Sequence, residues 1–269
     1  MGPEQSPRLS VWNLAGRTEA PVNPSRHFIL KICGLREIAH LRVAEACGAT
    51  HFGLLVEVTQ SPRCVSRRQA RVLARAARAR PVMVTMLDDP AAIVDLARTV
   101  QPAVVQHHGE PSFEPEAVRR ELPGTEFWQV VSVEVGPDPD LLGPAERIRA
   151  AAATGADRVV LDAARSGQSG GLGVAMDWEA AAQLVEAAGE FPILLAGGLS
   201  PDNVAEAIGR VRPAGVDVSS GVETGPNAKS PRLIRAFCEA VRLVTVPARA
   251  RKRQNPETGS TVHRGESDA

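Results

Sequence analysis

Two residues that could form a proton-transferring pair stand at the ends of two predicted buried strands. Cys33 closes the apolar run that begins at Phe28, and Asp162 closes the run that begins at Val159. In a barrel of parallel strands, the carboxyl ends open onto the catalytic mouth. A thiol and a carboxyl group there suit general base and general acid catalysis on one small molecule. Either residue could instead be structural, since strand-end cysteines commonly only pack.

Two loops rich in small residues predict an anion site at the same end. The seventh and eighth predicted strands run into Ala196-Gly197-Gly198-Leu199 and Ser219-Ser220-Gly221-Val222-Glu223. Glycines let backbone N–H groups approach an anion closely, and barrels often bind phosphate at these two loops. Glycines also commonly end strands and cap turns, but two such loops in the two expected places favour phosphate binding.

Two other loops carry weaker signals. The loop after the sixth strand contains Gly170, Gly171 and Gly173, which is typical of a mobile cover over a ligand and also of an ordinary connection. Arg63, after the second strand, could clamp a carboxylate through its planar fork, or could be solvated. The residues alone therefore indicate a barrel that binds a small phosphorylated, carboxylated molecule.

Eight alternating strands and helices position these residues. The strands are predicted at about 28–32, 51–56, 82–86, 103–106, 127–133, 158–161, 192–195 and 215–218, and the helices at about 35–47, 67–79, 90–99, 114–121, 140–153, 178–188, 201–210 and 231–243. Parallel strands need crossover helices, so we predict an α/β fold, a single-domain (β/α)8 TIM barrel, over 27–245. A doubly wound open sheet would also alternate, but eight units without a composition break favour closure. Residues 1–26 and 246–269 lack a core-forming pattern and are predicted to be disordered extensions.

Helix start signals support these elements. Ser66 reads as a capping residue with Gln69 three positions on. Asp89-Pro90, Ser200-Pro201 and Ser230-Pro231 each place a capping oxygen before a proline at the first helical position. Asp177 is expected to cap the helix that follows the glycine-rich loop.

Composition excludes several classes of protein. Lys plus Arg equals Asp plus Glu, at 31 each, so no net field steers the chain toward nucleic acid or an anionic membrane. Aromatic residues make up 3% of the chain, too few for base-stacking platforms. The four cysteines match no zinc or disulfide pattern, which suits free thiols in a reducing cytosol. We see no signal peptide and no apolar run long enough to span a bilayer.

Seven ordered motifs resemble phosphoribosylanthranilate isomerase, the barrel enzyme of tryptophan biosynthesis. They are Lys31-Ile32-Cys33-Gly34, Ser61-Pro62-Arg63-x-Val65-Ser66, Val105-Gln106-x-His108-Gly109, Leu161-Asp162, Gly170-Gly171-x-Gly173-x-x-x-Asp177-Trp178, Ala196-Gly197-Gly198-Leu199-x-Pro201-x-Asn203-Val204, and Asp217-x-Ser219-Ser220-Gly221-Val222-Glu223. The resemblance runs from about Phe28 to Leu243. It implies an Amadori rearrangement of N-(5′-phosphoribosyl)anthranilate that uses no metal and no organic cofactor.

The resemblance also implies a role for each matched residue. Asp162 would be the general acid that opens the sugar ring, and Cys33 the general base that takes the proton from C2. Arg63 would contact the anthranilate carboxylate, and Gly197, Gly198, Ser220 and Gly221 would hold the phosphate. Lys31 lies two residues before Cys33 on the same strand face, so we expect it to lower the thiol pKa. Asp162 needs a raised pKa to donate a proton at neutral pH.

Several positions depart from the family pattern, and two alternatives stay open. Leu172 and Val174 stand where the family commonly has Thr or Ser and Lys, and Cys64 replaces an aromatic residue. A divergent isomerase or lyase for another phosphorylated, carboxylated metabolite is therefore a second hypothesis, and a non-catalytic scaffold is a third. In the leading interpretation the partner is a small phosphorylated substrate, and the enzyme is a cytoplasmic monomer or homodimer.

Overall fold

The computed structural model describes residues 28–136, 139–165, 168–169 and 177–245, and its strands form one closed parallel barrel. The barrel strands are β1 (Ile29–Cys33), β2 (His51–Leu55), β3 (Arg80–Thr85), β4 (Val104–His107), β5 (Glu126–Glu134), β6 (Arg158–Arg165), β8 (Ile193–Leu195) and β9 (Gly215–Val218). Their order is β5-β4-β3-β2-β1-β9-β8-β6, and β5 pairs with β6 to close the ring. Strand β7 (Gln168–Ser169) pairs antiparallel with β6. The predicted (β/α)8 barrel is confirmed.

Helices follow the barrel strands as the periodicity predicts. They are α1 (Ile38–Ala46), α2 (Arg67–Ala76), α3 (Pro90–Val100), α4 (Pro115–Glu121), α5 (Leu142–Ala153), α6 (Trp178–Ala188), α7 (Val204–Val211) and α8 (Pro231–Thr245). The side chains of Ser66, Asp89, Asp177 and Ser230 each accept a backbone N–H of the first helical turn, as predicted. The prediction for Ser200 is wrong, because Pro201 lies in a turn and α7 begins only after Asn203.

The core has two parts, one inside the barrel and one between the strands and the helices. Apolar side chains inside the barrel include Val82, Val104, Val160 and Leu194. Their amino-terminal end is closed by Glu126, which pairs with Arg80 and Arg158 and accepts the indole N–H of Trp128. This closure leaves the carboxyl ends of the strands as the open mouth.

One strand boundary differs from the prediction in a way that bears on the site. Asp162 is not the last residue of β6, since the strand continues to Arg165. The extension forms because β6 stays paired with the end of β5, at Val133 and Glu134, and with β7. The predicted extensions 1–26 and 246–269 lie outside the described residues, and their disorder stays a prediction.

Candidate active site

A cavity of about 620 Å³ occupies the mouth of the barrel, and most of the predicted site residues line it. Cys33, Arg63, Asp162, Gly197, Gly198 and Ser220 all contribute to its wall. Gly221 lies in the short 3-10 turn at Ser220–Val222, directly beside that wall. The lid residues Gly170, Gly171 and Gly173, like Leu172 and Val174, lie outside the described residues. Cys33, Asp162 and the two small-residue loops therefore share one cavity.

The thiol of Cys33 is buried at the end of β1, beside a cation. Lys31 lies two residues earlier on the same face, is fully buried and pairs with Asp217 Oδ2 at 2.5 Å. Gly53, opposite Cys33 on β2, leaves room for the sulfur, because a Cβ there would come within 2.5 Å of Sγ. The strands thus place thiol, ammonium and carboxylate in one buried group.

Lys31 lowers the pKa of the Cys33 thiol, as expected, but burial has a larger effect in the opposite direction. Burial raises the pKa of the Cys33 thiol, and this outweighs the charge and hydrogen bond of Lys31, which lower it. The net pKa lies above the ordinary value of 9.0. At neutral pH the thiolate is therefore a minor form of the unliganded site.

Asp162 has the property that a general acid requires. Its side chain lies in the cavity wall and the residue is only 9% exposed. Burial, reinforced by the negative charge of Asp217, raises its pKa from 3.8 to about 7. A carboxyl group with that pKa is protonated in a large fraction of molecules at neutral pH and can donate a proton.

The two glycine-containing loops need glycine for steric reasons. Gly197 and Gly198 have φ of +78° and +65°, in the left-handed region. A Cβ on Gly197 would overlap the backbone of Ala163, and one on Gly221 would overlap the carbonyl oxygen of Leu199. At Gly221 the loop after β9 therefore packs on the loop after β8 at the distance of bare backbone, and at Gly197 the loop after β8 packs on β6 in the same way. Exposed backbone N–H groups in such loops suit an anion cradle.

Asn203 braces the first of these loops. Its side-chain oxygen accepts the N–H of Ser200 at 2.8 Å, and its Nδ2 donates to the carbonyl oxygen of Gly198 at 2.9 Å. Asn203 is therefore the residue that shapes the turn in which Pro201 lies. The sequence analysis predicted Ser200 as the helix cap instead, because Ser200 precedes a proline.

Arg63 lines the cavity but is not a free guanidinium. Its Nε and Nη2 donate to the two carboxylate oxygens of Glu223, each at 2.8 Å. Lys229 Nζ also donates to Glu223, at 2.8 Å. Neither Glu223 nor Lys229 was predicted as a site residue, because Glu223 had no assigned role and Lys229 belongs to no recognisable motif.

Three further cavity residues were not predicted as site residues. Gln106 Oε1 and Asp217 Oδ1 are buried acceptors with no hydrogen-bond partner in the described part of the chain, so a ligand could donate to them. His108 also lines the cavity, and burial together with Lys31 lowers its pKa, so the ring is neutral at pH 7. Strand alternation could have found Asp217, which faces inward two residues before Ser219.

His107 and Cys64 lie away from the chemistry. His107 contacts the carbonyl oxygens of Leu87 and Gly109 through its ring nitrogens and packs on Phe113, so it and His108 face opposite ways, as expected for adjacent strand residues. Cys64 is half-buried, and its thiol donates to the carbonyl of Val65. Neither His107 nor Cys64 lines the cavity.

Within 28–136, 139–165, 168–169 and 177–245, no group of three or more His, Cys, Asp or Glu side chains could hold a metal ion. No helix in the same ranges is both long enough and apolar enough to cross a membrane. The described site includes one thiol, one raised-pKa carboxyl group, the Lys31–Asp217 ion pair, a Glu223 carboxylate shared by Arg63 and Lys229, and two glycine loops.

The fold and the site define a (β/α)8 barrel with a buried thiol and a raised-pKa carboxyl group beside two glycine loops. Residues 30–240 match the family model described as N-(5′-phosphoribosyl)anthranilate isomerase. The N-(5′-phosphoribosyl)anthranilate isomerase of Rhodopseudomonas palustris strain BisB18 is 40% identical over 219 residues, which are 80% of this chain and 95% of that protein. The chain belongs to the N-(5′-phosphoribosyl)anthranilate isomerase family.

Solved structures agree with this assignment. A phosphoribosyl anthranilate isomerase in complex with reduced 1-(o-carboxyphenylamino)-1-deoxyribulose 5-phosphate is 26% identical, with a TM-score of 0.64 over 80% of this chain and 99% of that one. Monomers generated from the dimeric phosphoribosylanthranilate isomerase of Thermotoga maritima are 28% identical, with a TM-score of 0.66 over 80% of this chain and 99% of that one.

Proposed function

We propose that this protein converts N-(5′-phosphoribosyl)anthranilate to 1-(2-carboxyphenylamino)-1-deoxyribulose 5-phosphate in tryptophan biosynthesis. The observation that carries the proposal is the convergence of Cys33, Asp162 and the glycine loops on one cavity. The two ionisable groups differ as the reaction requires, because Asp162 holds a proton near neutral pH and Cys33 can accept one as the thiolate.

The substrate would span the mouth of the barrel. Its phosphate lies against the loops that contain Gly197, Gly198, Ser220 and Gly221, where backbone N–H groups can surround it. Its carboxylate lies at Arg63, and the aromatic ring packs on the apolar wall formed by Leu55, Val84 and Met86. The sugar then lies between Cys33 and Asp162.

The rearrangement needs two proton transfers and a tautomerisation. Asp162 donates its proton to the ring oxygen, the C1–O bond breaks, and the nitrogen lone pair forms a C1=N iminium. The thiolate of Cys33 removes the proton from C2, and those electrons form the C1=C2 enolamine. The enolamine gains a proton at C1 and loses the C2 hydroxyl proton, which gives the ketone. Gln106 and Asp217 offer acceptors for the substrate hydroxyl or amine groups.

These residues supply the chemistry without a metal or organic cofactor. The protein acts as a cytoplasmic monomer or homodimer on this small phosphorylated substrate, without nucleic acid or membrane. The dimeric relative from Thermotoga maritima supports the second oligomeric state.

Complementation of a bacterial tryptophan auxotroph that lacks this isomerase tests substrate identity and activity together. We expect the wild-type gene to restore growth without tryptophan, and Cys33→Ala and Asp162→Asn to fail at equal expression. Failure of the wild type, with phosphate binding intact by calorimetry, would favour a different phosphorylated, carboxylated substrate.

A further inference from the structure

Arg63 reaches across the end of one strand to join two loops. It belongs to the loop after β2, whereas its partner Glu223 follows β9, and β1 lies between those two strands. The side chain passes over Gly34, where a Cβ would come within 2.8 Å of Arg63 Cδ. Gly34, with φ of +75°, thus makes room for the arginine directly beside Cys33.

The carboxylate of Glu223 is shared between two cations. One oxygen accepts both Arg63 Nε and Lys229 Nζ at 2.8 Å, and the other accepts Arg63 Nη2 at 2.8 Å. Lys229 also donates to the carbonyl oxygen of Ser219 at 2.8 Å. The side chains of Arg63, Glu223 and Lys229 are only 16%, 4% and 3% exposed, so water competes little for these bonds.

Arg63 and Glu223 stay charged through the neutral range. Burial would raise the pKa of Glu223, but the hydrogen bonds from Arg63 and Lys229 prevail and hold it at about 2. The hydrogen bond to Glu223 raises the pKa of Arg63 above its ordinary value. Burial lowers the pKa of Lys229, and its hydrogen bond to Glu223 opposes that effect. The Arg63–Glu223 pair is therefore ionised beside the cavity.

The pairing leaves one part of the guanidinium unused. Glu223 takes the Nε–Nη2 edge, whereas Nη1 is not part of that pair. A guanidinium can bind a second carboxylate through its Nη1–Nη2 edge, because its five N–H groups form a rigid planar fork. An arginine without this restraint would have a flexible side chain near an anion cradle and could pair with a phosphate instead.

We propose that Glu223 is a positioning residue that holds Arg63 by one edge so that the other edge selects the substrate carboxylate. Lys229 supports this arrangement by tying Glu223 to the loop that carries Ser219. The inference rests on the proposed function, in which Arg63 contacts that carboxylate. It adds that carboxylate selection depends on a glutamate that does not touch the substrate.

Calorimetry with a matched pair of ligands tests this proposal. One ligand is reduced 1-(o-carboxyphenylamino)-1-deoxyribulose 5-phosphate, and the other is the same compound without the carboxyl group. The wild type should prefer the carboxylated ligand by roughly tenfold to a hundredfold, as for hydrogen bonds to a charged group. Arg63→Met should abolish this preference.

In Glu223→Gln, the ratio of the affinities for the carboxylated and uncarboxylated ligands should fall at least about fivefold. The affinity of this variant for the ligand without the carboxyl group should stay within about twofold of wild type. If Glu223 had only a structural role, the variant would bind both ligands more weakly and by the same factor. In the double variant with Arg63→Met, the glutamate change should have no further effect on the preference. Glu206→Gln, an exposed surface ion-pair residue on α7, is the matched control and should match wild type.

The outcomes separate this proposal from the proposed function. A wild type that shows no preference removes the role of Arg63 as the carboxylate contact. A normal preference in Glu223→Gln, with the preference lost in Arg63→Met, overturns the positioning role alone. If Glu223→Gln does not fold, Glu223→Asp is the second variant, because it keeps the negative charge but shortens the side chain by one methylene. The proposal requires that Glu223→Asp also lose preference for the carboxylated ligand.

Discussion

Replacing Lys31 tests the electrostatic coupling at the base. Lys31→Met removes the buried ammonium that lowers the pKa of the Cys33 thiol. Residues two apart on a strand are separated by about 6.6 Å, and two unit charges at about 6 Å interact by about 3 kcal/mol at an effective dielectric constant of about 20. Asp217 pairs with Lys31 but remains in the variant, so its own effect on the thiol is common to both proteins and the whole Lys31 interaction is lost. A loss of about 3 kcal/mol corresponds to a thiolate fraction about a hundredfold smaller.

The assay is the pH dependence of iodoacetamide alkylation, with Cys33 followed by peptide mass spectrometry. Below the thiol pKa, Lys31→Met should react at Cys33 about a hundredfold more slowly than wild type at each pH. Cys64, whose thiol donates to the Val65 carbonyl, is the internal reference and should not change. Arg75→Met, at an exposed position on α2, controls for loss of a surface cation. Identical Cys33 profiles in wild type and Lys31→Met, with both proteins folded by circular dichroism, would refute the coupling.

Three other predictions follow from the same geometry. Because the proposed mechanism needs protonated Asp162 and ionised Cys33, kcat/KM should rise with pH and level off near pH 7, where Asp162 loses its proton. The residual activity of Asp162→Asn should keep rising above pH 7, and identical pH profiles for the two proteins would contradict the assignment. Gly221→Ala should weaken calorimetric binding of the reduced product by about tenfold, because the new Cβ overlaps the Leu199 carbonyl, and unchanged affinity would exclude the cradle. Asp89→Ala removes the N-cap of α3 and should lower the free energy of unfolding, measured in urea, by about 1 kcal/mol. The kcat/KM of this variant should not change, and an unchanged free energy of unfolding would show that the cap contributes nothing.

Local patterns were sufficient to predict the barrel and the ends of most helices. Strand alternation, crossover helices and capping residues such as Asp89 act over a few residues, so the sequence displays them directly. Asp162 was placed at the wrong point of β6, because the continuation of that strand depends on its neighbours β5 and β7. Likewise, α7 begins late because the side chain of Asn203 is used to brace the preceding loop.

The sequence pointed to residues that the structure brings to one cavity, but not to the ion pairs that those residues form. Cys33 and Asp162 could be found because strand ends converge in any parallel barrel. The pairings of Lys31 with Asp217 and of Arg63 with Glu223 join residues more than 150 positions apart, and no local pattern reports them. The raised pKa of Cys33 is also a property of burial, which only the folded chain determines.

The central claim is that Cys33 and Asp162 act together on one phosphorylated substrate, and a fluorescence assay tests it most directly. Phosphoribosylanthranilate is generated in situ, and loss of its fluorescence is followed after the protein is added. The wild type should abolish the signal, while Cys33→Ala and Asp162→Asn should each slow its loss by roughly a hundredfold to ten-thousandfold. Near wild-type turnover in either folded variant would contradict the account.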